Sequence, residues 1–318
     1  MRKLSCIFLL ISFIFLFNSC DEDFNPFGEE NKIHILNCIL KGNDDFQSAY
    51  LGESYFVDNF DPSSDTNKHT LDNSYIRIWF EDSVKVFNDT VVENPSNNFS
   101  ITNYYHNNFS LLEDTEYQIE AAFKDGKKMY GKTKTPAKVS FQSTSDKLLP
   151  PEGRNYVKVS WNASSEQLYT ASRFAFIYFK DDGVTRTRHF KAVPEDILED
   201  DGETIKFFPE PSYANSITVQ MSAFDKAMEE ISEGDPDKEN YIILGFIVEI
   251  LIYDRNLTSY YASKAELSEG FSVSVNETDY SNIEGGRGIF GSFIRQNFSL
   301  KFTHEYVQSF GYTPGLTE

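Results

Sequence analysis

The stretch Gly286-Arg287-Gly288-Ile289-Phe290-Gly291 has the spacing in this chain with the most direct route to chemistry. Between a strand and a helix, G-x-G-x-x-G lets the backbone approach a pyrophosphate and offers it the N–H groups of a helix N-terminus. The flanks do not supply that setting. Ser281 to Glu284 is a poor strand, and Asn297-Phe298-Ser299-Leu300-Lys301-Phe302 reads as strand and not helix. The better account is a structural glycine turn or bulge at Gly285, Gly286, Gly288 and Gly291, which lets Ile289 and Phe290 tuck into a core.

The other chemistry-bearing residues are dispersed. His34, His69, His106, His189 and His304 stand singly, and His304-Glu305 has no second histidine at the spacing of a zinc-binding helix. Asp235-Pro236-Asp237-Lys238-Glu239-Asn240 puts oxygens at alternate positions, as a calcium loop does, but lacks the glycine at position six and the closing glutamate at position twelve. It reads as a solvated turn, as do Asp58 to Asp65 and Asp200 to Glu203. No G-x-S-x-G elbow is present. The expectation is a protein with no catalytic residues, no metal and no cofactor, and not an enzyme.

The chain opens with basic Met1-Arg2-Lys3, an apolar run from Leu4 to Phe17, and Asn18-Ser19-Cys20. That layout makes residues 1–19 a signal peptide. The run is shorter than the roughly 20 apolar residues needed to cross a bilayer core of about 30 Å. Cys20, behind the small Ser19, resembles the lipid-accepting cysteine of a bacterial lipobox, with Phe17 and Asn18 where leucine and a small residue are usual. Acyl chains there, at about 0.8 kcal/mol per buried methylene, form a stable anchor. Residues 20–31 form an acidic tether. Its Asp21-Glu22-Asp23 resembles the surface-export tract of Bacteroidota lipoproteins, whereas in enterobacteria an aspartate after the cysteine favours the inner membrane.

The 318 residues carry 49 acidic and 29 basic side chains; loss of Arg2 and Lys3 with the leader leaves 27 basic and a net charge of −22. Such a balance excludes nucleic acid as a partner. It also leads us to expect bilayer contact through the lipid alone, since an acidic surface repels an anionic membrane. With Cys6 removed and Cys20 acylated, Cys38 stands alone in an apolar run and no intramolecular disulfide can form. It reads as a small buried hydrophobe.

The elements that must position these residues are mostly strands. Aromatic residues make up 15 % of the chain, with 29 Phe and 18 Tyr, and long apolar helical stripes are few. Strands are predicted over Ile33 to Leu40, Tyr75 to Phe80, Lys85 to Val92, Tyr117 to Phe123 and Lys128 to Thr133, with Asp125-Gly126 a two-residue hairpin and Asp58 to Asn73 a long loop. This array suggests that residues 32–138 form an immunoglobulin-like sandwich. The second domain, 139–318, opens with Val157-Lys158-Val159-Ser160-Trp161, which resembles an early strand of a fibronectin type III-like sandwich with its tryptophan in the core. Further strands are Arg173 to Phe179, Ser216 to Ser222 and Ile242 to Tyr253. Helical inserts are expected at Asp225 to Ser232 and Leu257 to Leu267. The fold class is mainly β, two tandem β-sandwiches, the second with helical insertions.

Ser281-Asn282-Ile283-Glu284-Gly285-Gly286-Arg287-Gly288-Ile289-Phe290-Gly291-Ser292-Phe293, with Thr258-Ser259-Tyr260-Tyr261 before it, resembles a Bacteroidota lipoprotein family of unknown function. Its genes often sit beside TonB-dependent outer-membrane receptors. The resemblance implies a lipid-anchored outer-membrane protein facing the cell surface, an accessory or binding partner of a TonB-dependent transporter; the rival reading is a structural or adhesive envelope lipoprotein with no small-molecule ligand. No catalytic residue carries over from that family. Asp82-Ser83-Val84 and Asp89-Thr90-Val91 look like the acceptor for O-glycosylation in such envelope proteins, which makes Ser83 and Thr90 the candidates.

Overall fold

Alternation of buried side chains builds the first core. Leu36, Cys38 and Leu40 point inward from β1 (His34–Lys41), and Tyr117, Ile119 and Ala121 from β7 (Glu116–Ala122), because side chains two apart in a strand share a face. A computed structural model of the protein describes residues 32–54, 69–72, 74–94, 99–162, 166–181, 183–200, 203–268 and 280–315. The leader, Cys20, Asp21, Glu22, Asp23, the rest of the tether, and the loop Asp58 to Asp65 lie outside them.

The chain is mainly β. The N-terminal strands continue with β2 (Gln47–Glu53), β3 (Tyr75–Phe80), β4 (Ser83–Val86), β5 (Asn88–Asn94), β6 (Phe99–His106) and β8 (Lys128–Lys134). Then come β9 (Leu148–Leu149), β10 (Tyr156–Ser160), β11 (Thr170–Asp181), β12 (Arg186–Val193), β13 (Asp196–Asp200), β14 (Glu203–Phe207), β15 (Ser216–Gln220), α1 (Met221–Glu229) and β16 (Tyr241–Tyr253). The C-terminal part holds α2 (Arg255–Ser268), β17 (Ile283–Glu284), β18 (Arg287–Phe302), α3 (His304–Ser309) and β19 (Thr313–Pro314). A ten-stranded sheet has its main path in the order β12-β11-β16-β18-β1-β2-β6-β5, and a five-stranded sheet runs β17-β8-β7-β3-β4.

The first core lies between β1-β2-β6 of the large sheet and β8-β7-β3 of the smaller one, filled by Leu51, Ile76, Ile78, Tyr104, Phe109 and Met129. Tyr117 is fully buried near the start of β7, and its hydroxyl accepts a hydrogen bond from the Leu112 N–H at 2.8 Å. The second core sets β12-β11-β16-β18 against the β10–β15 pair and α1, around Trp161, Phe174, Phe176, Phe224 and Phe246. Helix α1 has no side-chain N-cap; it is held by the face that buries Ala223, Phe224, Ala227 and Met228.

Three local expectations change. Lys85 to Val92 is not one strand: β4 pairs β3 in the small sheet, β5 pairs β6 in the large one, and Phe87 between them turns into the core. The strand expected over Ser216 to Ser222 stops at Gln220, and α1 starts at Met221, before the expected Asp225. The β7–β8 hairpin turns through Lys124, Asp125 and Gly126, closed by Phe123 N–H to Lys127 O at 3.0 Å, with Gly126 at φ +86°. It is a longer loop than a two-residue turn.

No break in the sheet marks the boundary at 138/139. The first part of β18 pairs parallel with β1 over Arg287 to Phe293, and its later part pairs antiparallel with β16 over Phe293 to Leu300. Phe290 therefore belongs to the first core, and Leu300 and Phe302 to the second. Residues His34–Glu318 form one compact unit. Helix α2 packs Leu257 over the other face of β18, against Tyr253, Ile289 and Phe293. Among the described residues no helix is long and apolar enough to cross a membrane.

Candidate functional site

The glycine-rich segment sits where β18 meets β1 and β8. Gly288 lies opposite Leu36 with φ +126°, and a Cβ there would stand 2.0 Å from the Leu36 carbonyl oxygen. At Gly285, with φ +81°, a Cβ would stand 2.4 Å from the Lys128 carbonyl oxygen, Gly286 lies under Met129, and Gly291 under Leu257. The absent side chains let three strands and a helix converge. Ile289 and Phe290 are both buried, on opposite faces of the strand.

Polar groups fix the same seam. Asn282 donates from Nδ2 to the Phe290 carbonyl at 2.7 Å and accepts the Phe290 N–H at 2.8 Å, while Asn256 donates to the Lys132 carbonyl at 2.8 Å. Asn37 Oδ1 accepts the Ile289 N–H at 3.0 Å. Asp254, 1 % exposed, accepts from Leu257 N–H at 2.8 Å, Ser292 N–H at 2.5 Å, Ser292 Oγ at 2.9 Å and the Thr133 hydroxyl. One carboxylate thus caps α2 and ties it to β8 and β18. Burial pushes its pKa up, and these hydrogen bonds only partly oppose that.

Beside the seam, the outward face of the five-stranded sheet forms an open groove of about 860 Å³, with Trp79, Gln118, Tyr130, Lys132, Asn282 and Glu284 in its lining. Strand register builds it. Glu284, Tyr130, Glu120 and Arg77 fall in one cross-strand row, and Lys132, Gln118 and Trp79 in the next. The Arg77 guanidinium stacks 4.8 Å from the centre of the Trp79 ring and meets the Glu120 carboxylate at 2.5 Å, and Lys128 meets the same carboxylate at 3.3 Å. Burial alone would raise the Glu120 pKa, but hydrogen bonds and charge from Arg77 and Lys128 outweigh it and hold the carboxyl below its usual range. Tyr130 is 42 % exposed. The groove combines aromatic surface with positioned charges and amides, and its lining contains no serine, cysteine or histidine.

The residues singled out in the sequence are placed apart from this groove or at its margin. Ser83 is exposed at the start of β4, and Thr90 is half-buried within β5. Asp235 accepts from the Asp237 N–H at 3.0 Å and the Tyr241 hydroxyl at 3.1 Å. Cys38 is 1 % exposed, and burial pushes its thiol up to about 12. His34 stacks on Phe123 at 4.4 Å and His189 on Tyr178 at 5.2 Å, while burial holds the pKa of His106 down. No group of three or more His, Cys, Asp or Glu that could hold a metal occurs among the described residues. The groove was missed in the sequence, where only the strands Tyr75 to Phe80, Tyr117 to Phe123 and Lys128 to Thr133 hinted at a shared face.

No family model matches the chain, and no curated protein does. Among solved structures, the FN1-FN3 domains of chicken CNTN1 match with a TM-score of 0.17 and 12 % identity, over 83 % of this chain. The chain spans 66 % of that structure's length.

Proposed function

We propose that the protein is a lipid-anchored binding protein of the cell envelope, held through Cys20 in the outer membrane, facing the cell surface, and partnered with a TonB-dependent receptor. Its two cores are read as two sandwiches. In the first, the large sheet runs β1-β2-β6-β5 and the small one β8-β7-β3-β4, the ABED and GFC order of an immunoglobulin-like unit with one added strand. The buried Tyr117 whose hydroxyl reaches back to Leu112 fits the tyrosine corner of such units. In the second, β12-β11-β16-β18 faces β10–β15 as in a fibronectin type III-like unit, with α1 and α2 inserted before and after β16. The leader, the acidic tract and the SNIEGGRGIFG resemblance support the location.

The observation that carries the binding role is the groove over Trp79 and Tyr130. Trp, Tyr and Arg are the side chains that dominate the energetics of protein interfaces, the two aromatics because they bury much area while fixing only about two rotors each. Here Arg77 is already stacked and ion-paired, so the surface is organised before any partner arrives. The test is a mild-detergent pull-down of the tagged, membrane-inserted protein, in which a TonB-dependent receptor is expected. Trp79→Ala combined with Tyr130→Ala should lose it while acylation and the melting temperature hold. A receptor recovered equally by the double variant would place the contact elsewhere, and no receptor in the wild type would end the partnership reading.

A further inference from the structure

The large sheet has an outward face of its own, opposite the second core. Register puts Arg186, Arg188, Phe190 and Ala192 of β12 beside Asp181, Phe179, Ile177 and Ala175 of β11, and carries the face on through Ile247 and Glu249 of β16 to Arg295 of β18. Helix α2 covers the end near Tyr253 and Phe293, Phe208 and Pro209 lie beside Ala192, Glu249 and Arg295 in the middle, and Ala175, Ile177 and Ile247 are buried in a small cluster of their own. Toward the other end the face is apolar: Phe190 is 60 % exposed, and Val184, next to Gly183 in the β11–β12 turn, is 91 % exposed.

Its charge opposes that of the chain. Against a formal net charge of −20 for the whole sequence, this face carries Arg173, Arg186, Arg188 and Arg295. The acids among its described residues are committed: Asp181 pairs with Arg186 at 2.7 Å, and Glu249 lies 3.2 Å from Arg173 and 3.5 Å from Arg295. Arg188 instead lays its guanidinium 5.3 Å from the centre of the Phe190 ring. An arginine stacked on an exposed phenylalanine, beside an aliphatic hairpin tip, suits the boundary between headgroups and acyl chains, where the ring and the valine go down and the cation stays with phosphate.

We propose that this face docks on an anionic lipid surface, with Val184 and Phe190 entering the headgroup layer and Arg188 meeting lipid phosphates. The contact is separate from the groove on the other sheet and independent of the Cys20 anchor. It also revises the expectation that bilayer contact is confined to the lipid, since local charge at a face outweighs net charge within a Debye length of about 8 Å.

The test uses the lipid-free chain beginning at Asp21, which retains the whole compact unit His34–Glu318, in flotation with vesicles of phosphatidylcholine alone or mixed with phosphatidylglycerol. Binding is expected only with the anionic lipid, and should weaken as salt is raised. Arg188→Glu and Val184→Ser should each keep the wild-type melting temperature. Arg188→Glu should lower partitioning at least about fivefold, the loss for one basic side chain leaving an anionic surface. Lys127→Glu, an equal charge change in the β7–β8 loop, should leave it unaltered. No flotation with anionic vesicles overturns the proposal, as does an equal loss in Arg188→Glu and Lys127→Glu. Binding of polyglutamate without binding of vesicles would assign the face to an acidic polypeptide and overturn it too.

Discussion

Asp254 puts one charge where three elements meet, and its environment fixes a pH dependence. Its pKa is raised in the folded protein by burial, so the native state holds the proton more tightly than the unfolded chain, whose aspartate titrates near about 3.9. The stability from that site is fully present below the unfolded value and is lost as pH rises through the folded one. Asp254→Asn keeps an acceptor for the Leu257 N–H and cannot ionise, so this part of the pH dependence should vanish from urea denaturation curves. Asp254→Ala removes the cap of α2 and leaves the Ser292 N–H without its acceptor, at a cost of about 2 to 4 kcal/mol. Wild type and Asp254→Asn running parallel from pH 4 to 8 would show that the carboxylate is not strained. Gly288 makes a second prediction at this scale. The clash there begins at Cβ and is with main chain, so Gly288→Ala should already cost most of what Gly288→Val does, at least about 3 kcal/mol. A mild alanine variant would mean that the β1–β18 pairing relaxes around it.

Among elements, β18 is the one that both cores use. At roughly 3.3 Å per residue it is about 50 Å long, and it contributes Phe290 to one core and Leu300 to the other. The two cores should therefore unfold together. The chain has two tryptophans, Trp79 on the five-stranded sheet and Trp161 in the second core, so Trp79→Phe and Trp161→Phe each leave one reporter. Coincident urea midpoints are expected, and separate midpoints would show that the shared strand does not couple the halves. Much of this element level was legible. Tyr75 to Phe80 and Ile242 to Tyr253 announce themselves through apolar or β-branched runs, as does Ile33 to Leu40. Strand β2 does not, because two of its buried positions are Ala49 and Gln47, the latter satisfied by the Lys41 and Phe109 carbonyls. The early part of β18 is hidden by glycines that lower strand propensity yet are required by the approach of Leu36. The groove was illegible for a different reason. Its rows run across strands, and one sequence holds no record of which strands become neighbours.

For the whole molecule, anchoring and facing should separate genetically. Cys20→Ala is expected to abolish labelling by an alkyne fatty acid, because that thiol is the proposed sole acceptor; persistent label would misplace the anchor. Replacing Asp21, Glu22 and Asp23 with alanine should leave the label intact while the protein becomes inaccessible to protease added to whole cells. An acidic segment has no affinity of its own for either leaflet and must be read by export machinery. Wild-type protein protected from protease in intact cells would turn the assignment toward the periplasm.

The β1–β18 pairing also dictates an order of events during biogenesis. Asn37 and Ile289, which it joins, lie 252 positions apart, so an N-terminal segment delivered early waits for almost the entire chain before its outer ladder is completed. Until Phe290 arrives, the first core lacks a wall and β1 offers an open template to other nascent chains. A chain truncated before residue 290 is therefore expected to leave the β1 edge open and to aggregate more than the full chain, which light scattering of the two would check.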